Sequence, residues 1–196
     1  MNDKTISEQE GFLLIQQMIQ ATKTRISEDG FMYLLWGWLV LIASLTQFVL
    51  IQMQSNYNGL AWLLMPVGAV ISVVYSRRQS KSQTVRTYVD EFMGYLWGAF
   101  GASLFIVLAS TAKLGLASTY PMVLVLYGIA TFVSGGVLKF RPLMFGGVAC
   151  WVLSIVSMFL PFEFQLLALA AAVLIAYVIP GYLLRQQYKH AVVQGA

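Results

Sequence analysis

Six apolar runs, at about 31–53, 60–76, 93–111, 120–138, 142–160 and 164–184, alternate with the polar connections QSNYNG, SRRQSKSQTVRTYVDE, TAKLGLASTY, KFRP and PFEF. Each run is close to the roughly 17 to 25 apolar residues that an α-helix needs to cross a bilayer. Backbone groups in lipid must bond to one another, so each run is expected to be helical. The pattern predicts an all-α polytopic membrane protein with six transmembrane helices in three hairpins, a membrane domain over 29–185 and a tail over 186–196. Ahead of the first run, Ser7 and Glu10 have capping-box spacing, and Leu14, Ile15, Met18 and Ile19 recur at helical spacing. A separate amphipathic helix over about 8–27 is expected, within a cytoplasmic segment over 1–28. Its apolar face is available to the inner leaflet, to the underside of the bundle or a second subunit, or to a protein partner.

The first and third runs open alike. DGFMYLLWGWLV at 29–40 and DEFMGYLWGAFG at 90–101 place Trp36 and Trp97 61 residues apart. At that offset Arg25 falls on Arg86, Asp29 on Asp90 and Gly37 on Gly98, and Arg78 falls on Lys139. Two helical hairpins entering from the same face give such a parallel repeat. Phe145 and Gly146 offer a weaker third copy. Each shared position has an ordinary role: Asp29 and Asp90 cap a helix start, Arg25 and Arg86 stay among headgroups, and Trp36 and Trp97 suit the aromatic belt. Gly37 and Gly98 admit a neighbouring helix.

Small residues recur every fourth position at Gly68, Ser72 and Ser76, at Gly94, Gly98 and Ala102, and at Ala168, Ala172 and Ala176, the spacing that packs membrane helices within a bundle or between subunits. Pro66, Pro180 and Gly181 interrupt helices and offer either hinges or plain kinks.

Composition agrees with the pattern: of 196 residues 59% are hydrophobic and 10% charged, against about 25% charged in soluble domains. The start MNDKTISEQE lacks the form of a signal peptide, so no cleaved leader is expected. With six spans and the N-terminus inside, the cytoplasmic loops hold Lys4, Lys23, Arg25, Arg77, Arg78, Lys81, Arg86, Lys139, Arg141, Arg185 and Lys189, and Lys113 alone falls outside. The positive-inside rule therefore places both termini in the cytoplasm. The net charge of +4 reads as topology and contact with anionic lipid. Basic residues scattered over separate loops give no nucleic-acid footprint.

Reaction chemistry is missing from the pattern. No Asp, Glu, Lys, Arg or His falls at membrane depth, where such groups mark proton relays and ion paths, so the membrane-embedded Glu of small multidrug exporters has no counterpart. His190 lies in the tail, and GASL at 101–104 lacks the second Gly of the rhomboid protease motif. One His and one Cys, Cys150, cannot build a metal site, and no phosphate-binding loop occurs. No enzyme activity, cofactor or metal is expected. Helix-borne groups such as Ser44, Thr46, Gln47, Gln52, Ser103, Thr131, Ser134 and Ser154 either bond to backbone and neighbouring helices or meet a neutral ligand.

LLWGW at 34–38, YGIATFVSGGVLKFRPL at 127–143 and YVIPGYLLR at 177–185 make the chain resemble a group of uncharacterised bacterial six-helix integral membrane proteins of about 200 residues. The resemblance runs from the N-terminal helix onward. It implies the bacterial cytoplasmic membrane and carries no established activity. Size, span number and termini are also similar to the substrate-binding subunits of energy-coupling-factor vitamin uptake systems. That family's small-residue motif lies on the first helix, where LLWGWLVLIASL here is bulky. Two functions are expected to compete: a scaffold or sensor for a cytoplasmic protein partner, with the bilayer and a homo-oligomer as further partners, and a transporter or binding subunit for a small neutral or apolar solute.

Overall fold

The computed structural model describes the backbone of residues 8–82 and 88–194, and side chains from Gly30 onward except at 58, 79–82, 88, 90 and 188–194. No strand occurs among the described residues. The helices are α1 (Glu8–Gln52), a 3-10 turn (Asn58–Leu63) leading into α2 (Leu64–Ser82), α3 (Tyr88–Leu114), α4 (Leu116–Val137) and α5 (Arg141–Ser157). α6 (Phe162–Val173) then continues through a π-segment (Leu174–Val178) into α7 (Ile179–Gln194) without a break.

Five stretches are long and apolar enough to cross a membrane: Gly30–Gln52, Gly59–Arg78, Glu91–Leu114, Leu116–Val137 and Phe162–Gln187. α5 is the exception among the six apolar runs. Its 17 residues make a rod of about 26 Å at 1.5 Å per residue, shorter than the roughly 30 Å hydrocarbon core. The N-terminal helix is not a separate element. Residues 8–29 are helical, and no cap, Gly pair or Pro intervenes before the first span, so α1 runs for 45 residues.

α1, α4, α5 and the α6–α7 helix form the packed centre, α2 lies against α1, and α3 lies along α4. On α1 the buried stripe is Gly30, Tyr33, Leu34, Gly37, Val40, Ser44 and Gln47, with Trp38, Ile42, Leu45 and Val49 facing outward. On α5 it is Leu143, Gly146, Gly147, Cys150, Ser154 and Ser157. Both stripes step by three or four residues, as a helix face requires. Small and polar side chains make up most of both buried stripes, with Tyr33, Leu34, Val40 and Leu143 among them, as expected where close backbone approach holds helices together.

The connections are set by backbone geometry. α1 ends with Gln54 at φ 54, and the N–H of Ser55 bonds Leu50 O at 3.0 Å. α4 ends with Lys139 at φ 53, and the N–H of Phe140 bonds Gly135 O at 2.8 Å. Both are Schellman endings with a residue other than glycine in the left-handed position. TAKLGLASTY, expected to be a polar connection, is mostly helical. α3 and α4 meet at Gly115 alone, whose φ of 78 and ψ of 161 are open to glycine and to almost no other residue. Thr119 Oγ1 lies 2.9 Å from Thr111 Oγ1 and donates to Gly115 O at 2.9 Å, clasping the turn. α4 consequently starts ahead of Pro121, which lies inside the helix.

These turns predict opposite outcomes for two substitutions, read as unfolding free energy in detergent by far-ultraviolet circular dichroism. Gly115→Ala should lose about 1–3 kcal/mol. Lys139→Gly should gain up to about 1 kcal/mol, because glycine meets no Cβ penalty at the αL position.

Candidate functional site

The centre of the bundle is built on glycines that let α1 and α5 converge on the π-segment. A methyl group at Gly37 of α1 would come 2.9 Å from Tyr177 Cβ and 3.0 Å from Val178 Cγ2. From the opposite side, one at Gly146 of α5 would come 2.6 Å from Ala176 Cα. Just beyond, a methyl at Gly181 would meet Leu34 Cγ at 2.8 Å, and one at Gly30 would meet Leu184 Cβ at 3.4 Å. α4 and α5 close in the same manner. Gly128 faces the Trp151 ring and Gly147 O, while Gly135 backs onto Met144 and Leu143.

Tyr177, carried into the middle by the π-segment, organises an aromatic cluster with Tyr33 (ring centroids 5.7 Å apart), Tyr127 (5.4 Å) and Trp97 (6.4 Å). Phe100 joins through Trp97 at 5.4 Å and Tyr127 at 5.2 Å. Most of these pairs are edge-on, the arrangement favoured by the ring quadrupoles. The Tyr177 hydroxyl is enclosed without a well-aligned hydrogen-bond partner, with Thr131 beside it.

The other end of the bundle has its own polar hub. Gln47 Oε1 accepts from Trp62 Nε1 at 2.6 Å and from the Tyr120 hydroxyl at 2.9 Å, joining α1, the 3-10 turn and α4. Tyr120 packs on Phe162 at 5.5 Å. Gln165 Nε2 donates to Ser157 O (3.0 Å) and Leu160 O (3.2 Å), fastening α6 to the end of α5. Four interior hydroxyls are spent on backbone carbonyls: Thr131 donates to Tyr127 O, Ser134 to Ala130 O, Ser154 to Pro121 O and Ser157 to Ser154 O.

The structure separates residues that the repeat had paired. Trp36 lies beside Gly68 of α2, whereas Trp97 turns into the central cluster. Gly37 receives the π-segment, but nothing lies within 4 Å of where a methyl group at Gly98 or Gly94 would stand, and Ala102 is exposed. The close approach expected at those α3 positions is therefore not made within the chain, because α3 packs on α4 through another face. Ala168, Ala172 and Ala176 are buried, as is Gly68 against Leu39, while Ser72 is half-buried and Ser76 exposed. Pro66 falls in the first turn of α2, where a missing N–H costs little and no hinge is needed. Pro180 and Gly181 follow directly on the π-segment. Arg86 lies outside the described residues, as do the side chains of Arg25, Asp29, Asp90, Leu14, Ile15, Met18 and Ile19.

Sequence reasoning did not single out Gly128, Gly135 or Gly147. The seven-residue spacing of the first two and the Gly pairs at 135–136 and 146–147 were the available signals. Gln47 as a hub had none beyond being an amide in an apolar run. Among the described residues no three His, Cys, Asp or Glu side chains group as metal ligands. Comparison of the chain with protein-family models, with curated proteins and with solved structures gave no match.

Two contrasts test this arrangement. Gly146→Ala should destabilise by about 1–3 kcal/mol through overpacking, whereas Gly98→Ala should be neutral or gain up to about 1 kcal/mol from helix propensity, both measured by denaturant unfolding of the purified protein. Gln47→Leu should cost about 1–3 kcal/mol by stranding two donors and change Trp62 fluorescence.

Proposed function

We propose that the chain is a non-enzymatic sensor or scaffold of the bacterial cytoplasmic membrane, with six spans, cytoplasmic termini and a soluble protein partner at its N-terminal arm. The observation that carries this reading is the continuity of α1. Forty-five residues of uninterrupted helix reach about 67 Å at 1.5 Å per residue, more than twice the roughly 30 Å apolar core. A tilt or rotation of the span thus passes directly to residues 8–29, where the helical spacing of Leu14, Ile15, Met18 and Ile19 in the sequence suits an apolar partner.

The six-span reading counts α5 with the turn after it, Met158–Leu160, as the fifth crossing. The basic-residue asymmetry supports the orientation. Self-association would use the outward Gly94, Gly98 and Ala102 of α3. The parallel hairpin repeat is retained as ancestry, since its copies hold different neighbours. Solute binding draws less support, because Thr131, Ser134, Ser154 and Ser157 of the interior are already bonded to carbonyls within the chain.

Deleting residues 1–27 should release a protein that otherwise co-purifies with the gently extracted full chain, as read by native mass spectrometry. Retention of every co-purifying protein after the deletion would overturn the partner reading. Independently, a cysteine replacing Lys113 should react with an impermeant thiol reagent added to intact cells, and one replacing Lys139 should react only after lysis.

A further inference from the structure

The chain from Phe162 to Gln194 is one helix with one irregularity, the π-segment Leu174–Val178. A π-turn holds an extra residue over the path of an α-turn. Pro180, two residues on, has no N–H to bond back into that turn. We infer that the segment is a register switch: α7 has a second setting in which the extra residue is released, turning α7 by about 100° and advancing it by about 1.5 Å.

Packing decides which end moves. α6 is buried against α1, α4 and α5, while α7 rests chiefly on α1 and presents Tyr182 and Leu183 outward. In the second setting each α7 residue takes the place of the one after it. Leu183, 37% exposed, enters the place of Leu184, 1% exposed and beside Gly30. Leucine replaces leucine there, so the exchange keeps the buried volume. Pro180 takes the place of Gly181 against Leu34, and that crowding makes the π setting the resting one. Gly37 and Gly146 favour the resting state as well, because their close neighbours, Tyr177, Val178 and Ala176, belong to the π-segment itself. The motion ends at Gly30, where the arm of α1 leaves the apolar span.

This assignment deepens the sensor reading and rests on it for its purpose. Its test reads register alone, so an absent partner and an absent switch are distinguishable. In full-length protein carrying Cys150→Ala, the pairs Gly30→Cys with Leu184→Cys and Gly30→Cys with Leu183→Cys are oxidised in native membranes. Ideal Cβ at Gly30 stands 3.4 Å from Leu184 Cβ, close to disulfide geometry.

Both pairs should bridge, the Leu183 pair in the smaller yield. Adding Gly37→Ala should raise the Leu183 share severalfold, and deleting Ile175, which removes the extra residue, should abolish it. Bridging by the Leu184 pair alone with Gly37→Ala present, or a Leu183 bridge that survives the deletion, would overturn the switch. Should a variant fail to fold, hydrogen exchange of the unsubstituted protein decides: amides of Ile175–Ile179 should exchange about tenfold faster than those of Leu166–Val173, and equal rates overturn the proposal.

Discussion

Helices in lipid gain nothing from burying apolar surface against one another, so close contact between backbones has to hold them together. Here that contact is concentrated around one widened turn. Gly37 on one side and Gly146 on the other remove the side chains that would hold α1 and α5 away from Leu174–Val178. With the π-segment seated, Tyr177 is carried into the centre, where Tyr33, Trp97 and Tyr127 close around it. The aromatic cluster is therefore a consequence of backbone approach, and a side chain at either glycine would disturb rings that never touch it.

The polar interior follows from the same solvent. A hydroxyl in lipid is costly when unbonded, and each of Thr131, Ser134, Ser154 and Ser157 meets a backbone carbonyl. Ser154 and Gln165 do more than satisfy themselves, since their acceptors lie on another helix or beyond the end of one. Gln47 concentrates two donors on one oxygen. Such bonds select a pairing of helices that apolar surfaces alone leave undetermined.

The sequence revealed the helical class directly, because long apolar runs admit few backbone solutions in a membrane. It also exposed the small-residue faces, and Ala168, Ala172 and Ala176 do lie buried. It was least informative about partners. Gly37 and Gly98 sit in matching words, yet one receives a helix and the other faces open space, because local spelling specifies a notch and not what fills it. Boundaries slipped where polar letters were taken for loops: TAKLGLASTY stays helical up to a single Gly115, and SEDG before the first span does not interrupt α1. The π-segment had no spelling of its own beyond Pro180, since a widened turn is a response to neighbours rather than a local preference.

The division between centre and periphery bears on what the molecule can do. α3 contributes no buried residue over its apolar span, and ionisable side chains of the described spans lie toward their ends, at Arg77, Arg78, Glu91, Lys113, Glu163 and Arg185. Charged groups are costly at membrane depth, and among the described residues the packed interior holds none. One helix runs unbroken from the bundle into residues 8–29, and a second abuts it, its widened turn at Gly37 and the α7 residues Gly181 and Leu184 at Leu34 and Gly30. That turn is seated between α1 and α5, because Gly37 and Gly146 leave no room for a side chain between the backbones.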